Sequence, residues 1–336
     1  MSRWLLLRLV WLVVTLLGIT MLTFAVLDQA PVDRAEIEMA QRAQQVGPPA
    51  TRDAAILRLR VQYGLVDRET LQPAPLWRRY TNWLGNAATG RFAGPNEDHE
   101  AFWRRLLRAA PVTAWLGLLA LLLAFGLGLP LAVWCGKRAG SRGDRAVSRL
   151  LLLAVGVPEF LLATLLLLAF SGAWQWFPSH GLRSDGAQQW SFGAQLVDFG
   201  WHLVLPVAVM AVGPIVLVTR FLRDSVARTA GAPFARNLVA LGIEPAVMRR
   251  RLLRNAFAPA ATLAGSLLPM LVGGSIVVEN MFSLDGLGHL AFQAVLRQDQ
   301  AMVMALVVLT SVVTLASLLL SDVLHRLVDP RVRLSA

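Results

Sequence analysis

The feature that most limits this chain is a series of apolar runs too long for a globular core. The first, Leu5 to Leu27, exceeds the ~18 residues that mark a helix able to cross a bilayer. Others follow at Val112 to Cys135, about Leu150 to Phe170, about His202 to Val218, about Ala260 to Val278 and about Ala301 to Leu324. In hydrocarbon each backbone amide must find its partner within the protein, so such runs fold as helices. The expected fold is an all-α polytopic membrane protein with about six transmembrane helices. Composition agrees: 16% of the 336 residues are charged, against about 25% in a soluble domain. Arg3 and Arg8 stand at the start of the first run, as in a secretion signal. The run is too long for the ~7–15-residue core of a cleaved signal, so it reads as a retained span.

Loop charge then gives an orientation, because short loops rich in Lys and Arg stay in the cytoplasm. Gly136 to Arg149 carries Lys137, Arg138, Arg142, Arg145 and Arg149 against the single acid Asp144. The following loop holds only Arg183 but is crowded with Trp174, Trp176, Trp190 and Trp201, as an interface is. The segment Arg228 to Pro259 is again basic, Phe282 to Gln300 is read as outside, and the tail holds His325, Arg326, Arg331 and Arg333. The alternation places both termini in the cytoplasm. Three parts result: 1–28 with the first span, 29–110 as an extracytoplasmic insert, and 111–336 as a core of five spans containing a cytoplasmic loop at 222–258. The insert mixes both charge signs with large apolar and aromatic residues, too many for disorder. Amphipathic helices are expected in it at Ala54 to Tyr63 and Leu76 to Leu84.

Within the cytoplasmic loop, RTAGAPFARNLVALGIEPAVMRRRLLRNAFAP reads as two short helices joined by a turn. Pro233 suits a first helical position and Gly242 a left-handed cap. Phe234, Leu238 and Leu241 fall at i, i+4 and i+7 and form one apolar stripe. Pro245 opens the second helix, with Arg249, Arg250, Arg251 and Arg254. A short amphipathic helix held between spans is a docking element for a partner protein.

Other chemistries lack their residues. The net charge of +11 is concentrated between apolar runs and orients the chain in a membrane, so it does not point to nucleic acid. Cys135 is the only cysteine, and His99, His180, His202, His289 and His325 form no ligand-spaced pair, so no metal site is expected. There is no GxxxxGK[ST] phosphate loop and no serine-hydrolase elbow. Gly126 and Gly128 lie inside a span, where small residues allow close helix approach. Any ATP-driven work must therefore use a separate hydrolysing subunit. Two acids stand near membrane depth: Glu159, beside Pro158, and Glu279. Such groups usually face a cavity or a partner. Glu159 is a candidate for the translocation path, and Glu279 is either a path residue or a structural anchor, the latter favoured.

FARNLVALG (Phe234 to Gly242) resembles the cytoplasmic loop of type I ABC importer transmembrane subunits, followed by LRNAFAP (Leu253 to Pro259). VVENMFSLDGLG (Val277 to Gly288), VDPRVR (Val328 to Arg333), the opening RLVWLVVTLLGITMLTFAVLDQAP, WRRYTNWLGNAATGRF and Gly156 to Phe160 extend the resemblance over nearly the whole chain. It is closest in kind to the dipeptide, oligopeptide and nickel permease family, and to its B-type peptide permeases. The family's Glu-Ala-Ala triplet is replaced by Arg236, Asn237 and Leu238, and APVDRAE stands where a PGDP-like sequence is usual.

The resemblance implies a type I ABC importer fold in a bacterial inner (plasma) membrane. It implies a homologous second permease subunit, two ABC ATPase subunits, an extracytoplasmic substrate-binding protein and surrounding lipid as partners. ATP with magnesium would be bound by the ATPase subunits, with no cofactor in this chain. The ATPase-coupling residues it implies are Phe234, Arg236, Asn237, Leu238, Leu241, Gly242 and Ile243. The ligand it implies is a di- or oligopeptide, with nickel or another small ligand as the alternative. The alternatives of another class, an intramembrane enzyme or a stand-alone channel, would need a converging catalytic set or would have no use for the docking stripe.

Overall fold

The computed structural model describes residues 2–29, 33–41, 49–94, 97–233, 244, 247, 258–267, 269–270 and 276–328. Among the described residues the chain is helical: α1 (Ser2–Asp28), α2 (Arg34–Gln41), α3 (Pro49–Gln62), α4 (Leu76–Ala88), α5 (His99–Lys137), α6 (Arg142–Gly156), α7 (Glu159–Leu166), α8 (Phe192–Gly231), α9 (Ala258–Leu267), α10 (Ile276–Met281), α11 (Leu287–Leu296) and α12 (Gln300–Val328). By internal packing it divides into two units, Met1–Arg108 with Leu290–Val312, and Ala109–His289 with Val313–Ala336. The division falls inside α5, α11 and α12.

In the first unit, most apolar side chains of α1 are exposed and none is buried, as suits a helix bathed in lipid. The insert packs against itself and against α1. Ala35, Met39 and Leu59 make a small core between α2 and α3. Arg60 pairs with Asp33 and Glu36, and Tyr63 Oη donates to Glu38 at 2.8 Å. The Tyr80 and Thr20 hydroxyls lie 3.0 Å apart, and the Phe24 ring stacks edge-on at 5.6 Å from Tyr80. Arg79 closes this contact with two hydrogen bonds to Asp28. The two helices expected in the insert are therefore present, as α3 and α4, each somewhat longer than the amphipathic stretch.

Among the described residues the second unit has two apolar cores. Leu116, Leu203, Met210, Val278, Phe282 and Leu284 belong to one, and Leu121, Ala132, Val218, Leu222, Leu263 and Leu267 to the other. α5 and α8 approach closely: a Cβ on Gly128 would lie 2.8 Å from Val218 Cγ1, and one on Gly136 would lie 2.7 Å from Val226. Close approach expected of the Gly126–Gly128 pair is thus carried by Gly128, since open space surrounds Gly126. On α9, a side chain at Gly265 would strike Ser321 of α12.

Four described helices are long and apolar enough to cross a membrane, within Trp4–Asp28, His99–Lys137, Phe192–Ala230 and Gln300–Val323. The expected third span is not one rod. It breaks after Gly156, and Arg142–Gly156 and Glu159–Ala173 meet at 97°. Pro158 has no amide to donate and pushes Val157 into extended backbone (ψ 122). The distal piece ends in a π-helical turn, Leu167–Ala173. Of the expected fifth span, Ala260 to Val278, the described parts are α9, residues 269–270 and the start of α10, and residues 268 and 271–275 lie outside the described residues. α5 and α8 are longer than their apolar runs, at 39 and 40 residues. Helical rise makes each ~60 Å long, about twice a hydrocarbon core, because Ser191 caps α8 well before the apolar run and α5 runs on through Pro111 from the insert.

Candidate functional site

The stripe expected to dock a partner, with Phe234, Arg236, Asn237, Leu238, Leu241, Gly242 and Ile243, lies outside the described residues. What leads into it is described. α8 continues unbroken from Phe192 to Gly231, so the helix enters the 222–258 loop and stops two residues before exposed Pro233. Beyond the stripe, Glu244 and Val247 are exposed.

The base of this loop is tied down by a buried ion pair. Asp144 is 1% exposed. Its Oδ1 accepts from Arg223 Nε at 3.0 Å, its Oδ2 accepts from Arg223 Nη2 at 2.5 Å, and Gly140 N donates to Oδ2 at 2.8 Å. The Asp144 amide in turn donates to Ser141 Oγ, which caps α6. An acid in the first turn also suits the helix dipole. Two parallel bonds from a planar guanidinium hold one fixed orientation, so the start of α6 and the last turns of α8 are held as one piece. Sequence reading noted Asp144 only as the lone acid of a basic loop. Ser141 with an acid three residues on was the available signal of a capped helix start, but nothing local names Arg223 as its partner.

A second polar knot surrounds Glu279, which is wholly buried. Thr113 Oγ1 on α5 donates to Glu279 Oε1 at 2.8 Å and accepts from Leu287 N at 2.7 Å. His289 N donates to Glu279 Oε2 at 2.9 Å. The carboxylate and the hydroxyl together therefore satisfy first-turn amides of α11, which its own helix cannot. The fit depends on two glycines: a Cβ on Gly286 would collide with the Glu279 carboxylate, and one on Gly288 would lie 2.9 Å from its Oε2. Gly181 N donates to Phe282 O at 2.9 Å, which ties the preceding loop to the same turn. Thr113 was missed in sequence, because only the fold brings α5 to α11, and the two glycines stood within VVENMFSLDGLG with no role assigned.

Glu159 is placed differently from the mid-span acid expected. It is the first residue of α7, half-buried, directly after the break at Pro158. α7 packs on α8 and α10. An acid there stands at a broken helix, where backbone groups are free of the helical ladder, and not along a continuous rod.

These features define a polytopic, all-helical membrane protein in which a long helix runs into a polar loop and buried polar knots fix the neighbouring segments. The chain belongs to the family of binding-protein-dependent transport system inner membrane components, whose model matches residues 128–334. It is thus a permease component with the type I ABC importer fold, and not an enzyme. Over 273 residues, 81% of this chain and 83% of the relative, it is 29% identical to the oligopeptide transport system permease protein AppB of Bacillus subtilis (strain 168). Against the dipeptide transport system permease protein DppB of the same organism it is 30% identical over 287 residues, 84% of this chain and 86% of the relative. The peptidoglycan transport system permease protein YejB of Agrobacterium fabrum is 30% identical over 226 residues, 66% of this chain and 62% of the relative.

Proposed function

We propose that this chain is one of the two membrane subunits of an ATP-driven peptide importer. The observation that carries the reading is its similarity, over more than four-fifths of its length, to permeases named for oligopeptides and dipeptides. A homologous second permease completes the translocation path, two ABC ATPases bind ATP with magnesium, and a binding protein delivers the peptide. Both termini lie in the cytoplasm of a bacterial cell, and residues 29–110 lie outside its inner membrane.

Coupling runs through the 222–258 loop. Phe234, Leu238 and Leu241 anchor in the ATPase surface, and Arg236, Asn237, Gly242 and Ile243 complete the docking segment. Closure of the ATPases moves this segment. α8, continuous to Gly231, and the Asp144–Arg223 pair support passage of that motion into the spans, because stiff packed elements transmit displacement. Glu159, at the helix break, lines the path and meets the peptide ammonium group. Glu279 orders the turn before α11.

Purification of the chain from its native membrane should recover an ATP-hydrolysing subunit and a second permease. Reconstituted with the cognate binding protein, the assembly should take up the peptide that co-purifies with that protein. Phe234→Asp should abolish uptake while the chain still inserts. Full uptake and ATPase stimulation in that variant would overturn the coupling assignment, and a non-peptide ligand on the binding protein would overturn the substrate class.

A further inference from the structure

The last turns of α5 carry a feature that neither the path nor the coupling loop uses. A groove of about 660 Å³ opens along one face of the helix, lined by Leu129, Pro130, Val133, Trp134, Lys137 and Arg138. The residues recur at four-residue spacing, so they form one stripe. The stripe is strictly graded: aliphatic first, then the indole, then two cations. At 1.5 Å per residue it is ~13 Å long, close to the ~15 Å depth of one leaflet's hydrocarbon.

The chemistry of its polar end is also one-sided. Arg138 stacks over the Trp134 ring at 5.0 Å, which holds the guanidinium at the mouth of the groove. Trp134 is wedged against Gly143, where an added Cβ would come within 2.6 Å of the ring, yet it remains 40% exposed. The loop's sole acid, Asp144, is buried and bound by Arg223, and Asp224 is paired with the same arginine. Exposed charge at this end of α5 and the start of α6 therefore comes only from Lys137, Arg138, Arg142, Arg145 and Arg149. Among the described residues, neither Lys137 nor Arg138 has a carboxylate in ion-pair range.

We propose that this groove binds an anionic phospholipid, with an acyl chain along Leu129, Pro130 and Val133 and the phosphate between Lys137 and Arg138. Grease below and cations above, over the depth of one leaflet, match a lipid with net negative charge. A zwitterionic lipid would bring its own ammonium into the same cluster. The inference rests on α5 being a span and is independent of the peptide substrate, the coupling residues and the side of the membrane on which the loop lies.

The test is native mass spectrometry of the assembled transporter released from vesicles of phosphatidylcholine with or without phosphatidylglycerol. Phosphatidylglycerol should be retained over phosphatidylcholine by about tenfold or more, as two interfacial cations allow. The double variant Lys137→Glu/Arg138→Glu should lose that preference, whereas Arg145→Glu/Arg149→Glu should keep most of it. Val133→Trp, which fills the groove without changing charge, should also displace the lipid and guards against a folding defect in the charge variant. Equal retention of both lipids would overturn the proposal, as would full retention in Val133→Trp. Displacement by soluble glycerophosphoglycerol alone would mark a free-anion site, and crosslinking from position 133 to the second permease would mark a protein interface. Either result overturns it.

Discussion

Replacing Arg223 with methionine would leave the Asp144 carboxylate in a 1%-exposed site with the Gly140 amide as its one remaining donor. Breaking one side of a fully buried pair typically costs ~3–5 kcal/mol, because the abandoned charge stays desolvated. Arg223 keeps 28% of its side-chain exposure, so water can reach the vacated position and about 2 kcal/mol is the expected figure. That is roughly a 30-fold shift in the equilibrium between the docked and released loop. Asp144→Asn should cost less, about 1 kcal/mol, since it removes charge and leaves Arg223 its bond to Asp224. The double variant should be milder than the sum of the two singles by ~1–2 kcal/mol, the signature of a direct interaction. Unfolding midpoints of the purified assembly in detergent, followed by tryptophan fluorescence, give the four corners of the cycle. Proteoliposomes then read the consequence: ATP hydrolysed per ligand moved should rise in Arg223→Met and fall back toward wild type in Arg223→Lys. If the two substitutions add within ~0.5 kcal/mol, or if the ATP-to-ligand ratio is unchanged, the pair does not tie the loop to α6 as argued.

Two further outcomes follow from other parts of the fold. Glu279→Ala should strip acceptors from the start of α11 at a cost of about 3 kcal/mol, and Gly286→Ala should cost ~1–3 kcal/mol through collision with the same carboxylate; both are measured as lowered unfolding midpoints, and wild-type midpoints would refute the capping role. Burial, reinforced by the hydrogen bond to Glu38, raises the Tyr63 hydroxyl above its usual range. The raised folded-state value means its stabilisation is intact below the ordinary tyrosine pKa of ~10 and is lost as pH climbs above it. Proteolysis of the insert should therefore accelerate at alkaline pH in the wild type, with a weaker pH dependence in Tyr63→Phe; parallel profiles would remove Tyr63 as the cause.

What could be read in the sequence, and what could not, divides along physical lines. Leu5 to Leu27 declares itself because the demand that lipid places on a helix is local: the run must be predominantly apolar along its length. The insert helices at α3 and α4 are likewise written in nearby spacing. Pro158 was visible, but its effect was not. The same proline either kinks a span or breaks it, and the 97° turn depends on what the two halves pack against. Glycines carry the same ambiguity, for Gly128 meets Val218 while Gly126 meets nothing. Asp144 with Arg223, and Glu279 with Thr113, join positions far apart along the chain, and no periodicity encodes such a match. Buried polar groups find their partners only after helices have packed, so the anchoring residues emerge from the structure and the spans from the sequence.

Pro206 and Pro214 sit inside α8. Each deletes one rung of the amide ladder, releasing the carbonyls of His202 and Met210. The rod is thus weakest at a fixed latitude between its capped start at Ser191 and its stiff run toward Gly231. A push arriving at one tip would therefore be spent partly as flexure at that latitude, and the two tips would swing through unequal arcs.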